Sequence, residues 1–210
     1  MNLPPLFEKQ RELDEKIVRE KGLEGEDLLP RKILSLQVEL GELANEWRGF
    51  KFWSARQEPV TKVEHLCPSC DTTGYDKISE GHYDHMVPCI ECEGTGKLGE
   101  SNPMLGEYVD CLHFILSIGI ELFDVTPERP KPFEPGNLNI TGMFSGLFLS
   151  TGEMFRMLYM GGRDRLSDEW HRLINAFILL GEELGYTEKE IERAYMDKNS
   201  VNHDRQVQGY

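Results

Sequence analysis

The sequence predicts an all-α protein, a helical bundle interrupted by a small zinc-binding insert. Apolar residues recur at helical spacing in several long segments on both sides of residues 54–102. Within residues 54–102 this periodicity is lost, glycine and polar residues become frequent, and two Cys-x-x-Cys pairs occur. We therefore expect residues 1–53 and 103–210 to form one helical domain, with residues 54–102 inserted between two of its helices.

Composition limits the classes of function. The chain has 210 residues, 39% of them hydrophobic, which suffices for one domain with a real core. Its formal net charge of −14 argues against binding to duplex DNA or an anionic membrane, because such binding relies on Lys and Arg. Residues 1–14 lack the layout of a secretory signal and no run of 18 apolar residues occurs. We expect a soluble, cytoplasmic protein that binds neither duplex DNA nor a membrane.

The individual helices follow from periodicity and from their stop signals. Gly22 ends the first helix, Asp27 is a capping candidate for the second, and Thr187 with Glu190 forms a capping box for the last. Proline-rich residues 123–139 are expected to be a linker. About six helices are expected, in these segments: 3–21, 28 to about 47, 103–123, 140–160, 166–184 and the last one beyond residue 187.

Two acidic pairs are the most informative feature. Glu39 and Glu42 stand three residues apart on the second helix, and Glu107 and Asp110 repeat that spacing on the third. If the two helices pack with these pairs opposed, four carboxylates converge, and such oxygen ligands suit Mg²⁺ or Mn²⁺. Each pair taken alone could instead be a solvated face. Both helices are otherwise apolar, however, and inward carboxylates are costly unless they bind something.

The cysteines predict a zinc site. Cys67 and Cys70 are separated by 18 residues from Cys89 and Cys92, a spacing typical of a four-thiolate zinc site, whereas two disulfides fit a cytosolic chain poorly. Cys111 is left over and is interpreted as a small buried hydrophobe. Three histidines of the insert could support a thiolate ligand, but we expect them on the surface: His65, His82 and His85.

The last helix carries a local group of phosphate-binding side chains. Lys198, Asn202 and Arg205 are spaced so that they share one helical face. The alternative is a frayed basic tail, as at any terminus. Two further positive charges, Arg48 and Lys51, follow the helix that carries Glu39 and Glu42. Divalent metal together with separate cations indicates metal-assisted hydrolysis of a phosphoanhydride. The sequence contains no P-loop motif and no convincing nucleophile triad.

These residues resemble a known family. Glu39-x-x-Glu42 followed by Glu107-x-x-Asp110 resembles the metal motif of the all-α nucleoside triphosphate pyrophosphatases, the superfamily of MazG and the dimeric dUTPases. The segments 46–54, 107–114 and 194–206 look like the dimeric dUTPase branch in particular. Within the insert, Cys89-Ile-Glu-Cys-Glu-Gly-Thr-Gly is similar to the CxxCxGxG repeat of the DnaJ-type zinc domain, and residues 67–74 are a degraded copy.

The resemblance implies an activity and a set of roles. It implies a homodimer that hydrolyses dUTP, and also dUDP, to dUMP by attack on the β-phosphorus. The four carboxylates would bind Mg²⁺, and Glu39 or Glu42 would also orient or deprotonate the attacking water. It further implies contacts with a deoxyuridine nucleotide by Gln10, Lys198, Asn202 and Arg205, with Lys51 and Trp53 as weaker candidates. Trp53, like Trp47, could equally belong to the core, and His113 is interpreted as a buried, hydrogen-bonded residue.

Two other functions remain open at this point. The same fold and chemistry could act on another base, such as that of dCTP or a modified deoxynucleotide, as in MazG-like enzymes. Alternatively, the zinc knuckle could make the protein a binding adaptor with the bundle as its scaffold. The insert lengthens the interval between the two acidic pairs, which affects how the loop near the base pocket closes, but a loop insertion leaves the helix faces intact.

Overall fold

The computed structural model describes residues 1–80, 83–123, 125, 127, 136 and 138–207. The chain divides into two compact units, one formed by Met1–Pro59 and Met104–Tyr210 and the other by Val60–Pro103. The first unit contains the helices and the second contains the strands. The expected linker at residues 123–139 lies largely outside the described residues, as do His82 and residues 208–210.

Within the residues that the structure describes, the first unit is a bundle of six α-helices, as the fold class predicted from the sequence requires. The helices are α1 (Leu3–Lys21), α2 (Leu29–Trp47), α3 (Pro103–Leu122), α4 (Ile140–Met160), α5 (Leu166–Glu183) and α6 (Glu188–Val207). Two of the three expected end signals are present as predicted, the first being Gly22, whose N–H reaches the Arg19 and Val18 carbonyls. Asp27 is not the N-cap of α2, which is Leu28, although Asp27 Oδ1 accepts from the Leu29 N–H at 3.3 Å. At the start of α6, the Thr187 N–H donates to the Glu190 carboxylate at 2.8 Å.

Helix α3 forms the centre of the core. It is long and apolar enough, by length and composition alone, to span a membrane, but 61% of that stretch is buried inside the protein. Its Tyr108 ring stacks on Phe177 of α5, with centroids 4.2 Å apart. The Trp170 indole N–H of α5 donates to the Ile115 carbonyl at 2.7 Å. These contacts are those of a core helix, and Cys111 is fully buried beside them, as expected.

The second unit consists of two antiparallel hairpin-like ladders that the sequence did not predict. Strand β1 (Val63–Leu66) pairs with β4 (Lys97–Ser101), and β2 (Tyr75–Glu80) pairs with β3 (Tyr83–Pro88). Every residue of β4 is exposed, so no alternation of apolar and polar residues marks it in the sequence. Short exposed strands of this kind are held by their ladders and by the cysteine turns between them.

Candidate active site and thiolate cluster

The acidic pairs of α2 and α3 come together in the first unit. Carboxylate oxygens of Glu39, Glu42 and Glu107 all lie within 4.8 Å of one another. Around one Mg²⁺ ion, ligand oxygens lie about 3–4 Å apart, because each sits about 2.1 Å from the metal. The cluster is therefore only slightly wider than the oxygen shell of a divalent cation. Hard oxygen donors without nitrogen or sulfur fit Mg²⁺ or Mn²⁺.

Crowding of these carboxylates shows in their pKa values. Burial, followed by the charges of Asp110, Glu42 and Glu107, raises the pKa of Glu39 to about 7. Burial and the neighbouring carboxylates also raise the pKa of Glu107. Each carboxylate makes the ionised form of the next less favourable, which is the electrostatic condition that a bound cation relieves.

Asp110 is the fourth carboxylate of the predicted set and is held by a lysine. The Lys198 ammonium of α6 donates to Asp110 Oδ2 at 2.5 Å, and both side chains are partly buried. The charge of Lys198 also opposes the upward shift in the pKa of Glu39 and Glu107. The last helix therefore brings positive charge directly to the edge of the acidic cluster.

A cavity of about 310 Å³ opens beside the cluster. Glu39 and Asp110 line its acidic side, and Asn202, Arg205 and Gln206 of α6 line another side. Its remaining lining residues come from α1 and α3: Gln10, Leu13, Asp14, Ile17, His113, Phe114 and Ser117. The cavity is thus lined by carboxylates, by basic and amide side chains of α6, and by apolar side chains. A nucleotide requires surfaces of all three kinds.

Gln10 lies at the inner wall of this cavity and is nearly fully buried. Its carbonyl oxygen accepts from the Tyr195 hydroxyl at 2.8 Å and from His113 Nδ1 at 2.6 Å. Its amide nitrogen donates to Asp14 Oδ1 at 2.7 Å. An amide oxygen has two lone pairs, so its acceptor side is already occupied and only an N–H remains for a ligand. His113 is buried and hydrogen-bonded, as expected from the sequence.

Four cysteines of the second unit form a separate cluster. Cys67 and Cys89 have their sulfurs 3.9 Å apart, and those of Cys70 and Cys92 are 3.7 Å apart. Four sulfurs bound at about 2.3 Å to one tetrahedral zinc ion lie about 3.8 Å from one another, whereas a disulfide needs about 2.05 Å. All four cysteines are free thiols and buried. Their arrangement fits a zinc ion and excludes disulfides among them.

The two cysteine turns repeat each other. The Gly74 N–H donates to Cys70 Sγ and the Gly96 N–H to Cys92 Sγ, each at 3.3 Å. Both glycines have positive φ, and a Cβ on either would come within 2.3 Å of a backbone oxygen of the other turn. Only glycine therefore fits at these positions. N–H groups directed at the sulfurs stabilise thiolates, as metal ligands require.

A sequence model of the dUTPase family matches residues 2–66 and 95–210. The chain belongs to the all-α dUTPase family. It is an enzyme of the dUTP diphosphatase type, and the matched residues include both acidic pairs and the α6 face. The dUTPase match omits residues 67–94, the segment that contains all four clustered cysteines. Comparison with curated proteins and with solved structures finds no significant match.

Two predicted substrate contacts of this dUTPase do not reach the cavity. The Lys51 ammonium is hydrogen-bonded to Asn45 and lies 5.6 Å from the centre of the Phe50 ring. Trp53 is 66% exposed in the loop after α2, edge-on to Phe52. Trp47 packs against Phe144 of α4, with centroids 5.3 Å apart, which is the core alternative left open above. Contacts of Lys51 and Trp53 with substrate remain predictions.

Sequence reasoning missed several residues of the cavity wall. Asp14 stands four residues after Gln10 on α1, so helical spacing could have indicated it. Ser117 stands four residues after His113 on α3 and had the same signal. Lys32 does not line the cavity, but its ammonium lies 3.1 Å from Asp14 Oδ2. No spacing in the sequence indicates this contact, because it joins two separate helices, α1 and α2.

Proposed function

We propose that this dUTPase hydrolyses dUTP, and also dUDP, to dUMP with release of pyrophosphate or phosphate, in a Mg²⁺-dependent reaction. The observation that carries the proposal is the convergence of Glu39, Glu42 and Glu107 beside a cavity that α6 lines with Asn202 and Arg205. Removal of dUTP from the deoxynucleotide pool limits the incorporation of uracil into DNA.

Glu39, Glu42, Glu107 and Asp110 are the residues that would hold magnesium. The crowded carboxylates suit this role, since burial and then their mutual repulsion raise the pKa of Glu39 and Glu107 when no cation is bound. Bound magnesium would neutralise charge on the phosphate oxygens and lower the pKa of a coordinated water. Mn²⁺ would satisfy the same oxygen donors.

The protein's own side chains activate the water and bind the phosphates and the base. Glu39 or Glu42 orients the attacking water and accepts its proton. Lys198, Asn202 and Arg205 contact the phosphates, because Asn202 and Arg205 line the cavity and Lys198 reaches the carboxylate of Asp110, so that α6 brings two positive charges and an amide to the site. Gln10, on the part of the cavity wall that α1 forms, contacts the base through its remaining N–H.

Product analysis across deoxynucleoside triphosphates tests the proposal. With Mg²⁺ present, dUTP is expected to give dUMP at a kcat/KM at least about 100-fold above those for dCTP and dTTP. Faster hydrolysis of dCTP or of a modified nucleotide would replace dUTP by the MazG-like alternative. Absence of hydrolysis of every nucleotide, together with binding of protein or single-stranded nucleic acid by the second unit, would favour the adaptor.

We further propose that the cluster formed by Cys67, Cys70, Cys89 and Cys92 holds one structural Zn²⁺. The sulfur separations of 3.7 and 3.9 Å and the N–H groups directed at two of the sulfurs support this. The second unit has exposed strands and few buried apolar residues beyond the cysteines, so the metal would supply much of its stability.

Metal analysis tests the zinc site. The purified protein is expected to carry one zinc per chain, and Cys70→Ser is expected to lose it. Cys111→Ala is the matched control, because Cys111 is equally buried but lies outside the cluster. A zinc content that Cys70→Ser leaves unchanged would contradict the site.

Reduced thiols also support a cytoplasmic location, where disulfides are rare.

We also propose that the protein is a homodimer through the outer face of α4. Large apolar side chains stand exposed there, with Leu149 at 68%, Phe155 at 52% and Tyr159 at 63%. Leu34 and Val38 on the neighbouring α2 are exposed as well. Apolar surface of this extent is unfavourable in water, and a second copy would cover it without any other partner.

Light scattering at defined protein concentrations tests the dimer. The unmodified chain is expected at twice the monomer mass, and Phe155→Glu is expected to shift it to the monomer. Ile90→Glu serves as the control, since Ile90 is 92% exposed but belongs to the second unit rather than to α4. A monomeric unmodified protein at all concentrations would refute the dimer.

A further inference from the structure

A line of hydrogen bonds runs behind the inner wall of the cavity, and it begins at Lys32. The Lys32 ammonium lies 3.1 Å from Asp14 Oδ2 and also donates to Glu121 at 2.6 Å. Asp14 Oδ2 accepts in addition from the Ser117 hydroxyl at 2.5 Å. Both Lys32 and Asp14 are largely buried, at 12% and 14% side-chain exposure. The Lys32 ammonium and the Ser117 hydroxyl, both donating to Oδ2, fix the position of the Asp14 carboxylate beside Gln10.

The Asp14 carboxylate determines which way the Gln10 amide points. A carboxylate can only accept hydrogen bonds, so the group 2.7 Å from Asp14 Oδ1 must be the amide nitrogen of Gln10. The Gln10 oxygen then faces the Tyr195 hydroxyl and His113 Nδ1. With an amide side chain at position 14, which offers both a donor and an acceptor, either orientation of Gln10 would be possible.

The orientation of Gln10 in turn determines the tautomer of His113. Because the Gln10 oxygen only accepts, His113 Nδ1 must carry the proton, and Nε2 of the neutral ring keeps a lone pair. Burial, with a smaller contribution from the charge of Lys198, lowers the pKa of His113 to about 3, so the ring is neutral at pH 7. Within the described residues, Nε2 is buried and has no hydrogen-bond partner.

The cavity wall therefore offers two unused polar atoms of opposite kind. Gln10 and His113 both line the cavity. The second N–H of Gln10 is a donor, and the buried Nε2 of His113 is an acceptor. A buried acceptor without a partner is unfavourable, and a ligand N–H at this position would satisfy it. The complementary ligand has a carbonyl oxygen adjacent to an N–H.

We propose that Lys32 and Asp14 are positioning residues that set this donor and acceptor pattern and thereby select uracil over cytosine. Uracil presents a carbonyl beside a ring N–H, which pairs with Gln10 and His113. Cytosine presents an amino group beside an unprotonated ring nitrogen, so that a donor would face the Gln10 donor and a lone pair would face His113. The inference rests on the proposed function only in taking this cavity as the base pocket.

The test compares Asp14→Asn with the unmodified protein in two measurements. Nitrogen NMR of the histidine rings reports which ring nitrogen of His113 is protonated, with the signal assigned by its loss in His113→Gln. Calorimetry measures binding of dUMP, dCMP and dTMP, so that base choice is read without hydrolysis. Glu12→Gln on α1 is the matched control, because Glu12 is also bonded to a lysine, at 2.7 Å from Lys9, but is exposed.

The unmodified protein is expected to show protonated Nδ1 and to bind dUMP more tightly than dCMP. In Asp14→Asn, we expect Nε2-protonated His113 to become detectable and the dUMP to dCMP affinity ratio to fall at least about tenfold. The dUMP to dTMP ratio should stay unchanged, because thymine presents the same edge as uracil. That selectivity distinguishes a change of hydrogen-bond pattern from general damage, which would weaken all three ligands alike.

Protonated Nε2 in the unmodified protein would overturn the inference, and so would an unchanged dUMP to dCMP ratio in Asp14→Asn. If Asp14→Asn does not fold, Lys32→Gln provides the same comparison, with the same expected fall in the ratio and the same contradicting outcome. A protein that prefers dUMP by this pattern but does not hydrolyse dUTP would retain the inference and refute the proposed function.

Discussion

Glu39 is the carboxylate whose ionisation depends most on its surroundings. Its pKa of about 7 in the metal-free protein lies above the ordinary 4.5, mainly because of burial and then because of Asp110. Between these two pH values the folded state binds more protons than the unfolded state, so stability must fall as pH rises through that interval. The loss is complete above about pH 7 and absent below about pH 4.5.

The corresponding prediction concerns thermal unfolding of the metal-free protein. We expect Tm to decrease as the pH is raised from about 5 to about 8, and we expect Glu39→Gln to flatten this part of the profile. Added Mg²⁺ should raise Tm most at the alkaline end, where Glu39 is ionised and available as a ligand. Calorimetric scans across the pH series measure both effects. A slope that Glu39→Gln leaves unchanged would show that another group titrates there.

Lys198 links the basic face of α6 to the acidic cluster of α2 and α3 through its contact with Asp110. It is 2.5 Å from Asp110 Oδ2, and its charge opposes the rise in the pKa of Glu39. We expect Lys198→Gln to lower kcat about 10- to 100-fold and to move the Glu39 titration to still higher pH. Lys9→Gln, which removes an exposed ammonium from α1, is the control. Loss of activity without a shift in the titration would mean that Lys198 acts on substrate alone.

At the scale of elements, the insert is expected to be dispensable for catalysis. Strands β1 and β4 pair Val63 with Ser101, so the chain leaves and re-enters the second unit at adjacent points. A chain in which residues 63–96 are replaced by a short glycine-rich linker should therefore keep α2 and α3 intact and retain dUTP hydrolysis within about tenfold of the original kcat/KM.

Circular dichroism is the control for the deletion, because the helical signal must be preserved for the comparison to be valid. Loss of hydrolysis with a preserved helical bundle would assign the insert a part in the reaction. Retained hydrolysis with a changed dUTP to dCTP preference would assign it a part in base choice instead.

The elements differ in how far the sequence determines them. The helices are evident because each buries one face and ends at a local signal, as at Gly22 or at the Thr187–Glu190 box. The strands are not, because β1 and β4, whose burial the structure describes in full, lie largely on the surface and carry no alternating burial. The cysteine turns were predictable, since both their spacing and their glycines are dictated by local geometry.

At the scale of the whole molecule, the candidate site is assembled from four helices: α1, α2, α3 and α6. The sequence indicates the acidic pairs and the α6 face because residues three, four or seven apart share a helical face. It does not indicate that Lys32 meets Asp14, or that His113 meets Gln10, since these contacts depend on how separate helices pack. The hydrogen bonds and the ion pair along the cavity wall can therefore be identified only from the three-dimensional structure.

The measurement that tests the central claim most directly is the rate of dUMP formation from dUTP as a function of Mg²⁺ concentration, in the unmodified enzyme and in Glu42→Ala. The exposed Glu8→Gln is the control for removal of a carboxylate. We predict that the unmodified enzyme and Glu8→Gln are inactive without a divalent cation and reach a plateau as Mg²⁺ is added. Glu42→Ala should remain at least about 100-fold slower at every concentration. Hydrolysis by Glu42→Ala at the unmodified rate, or full activity after removal of divalent metal, would contradict the carboxylate cluster as the catalytic centre.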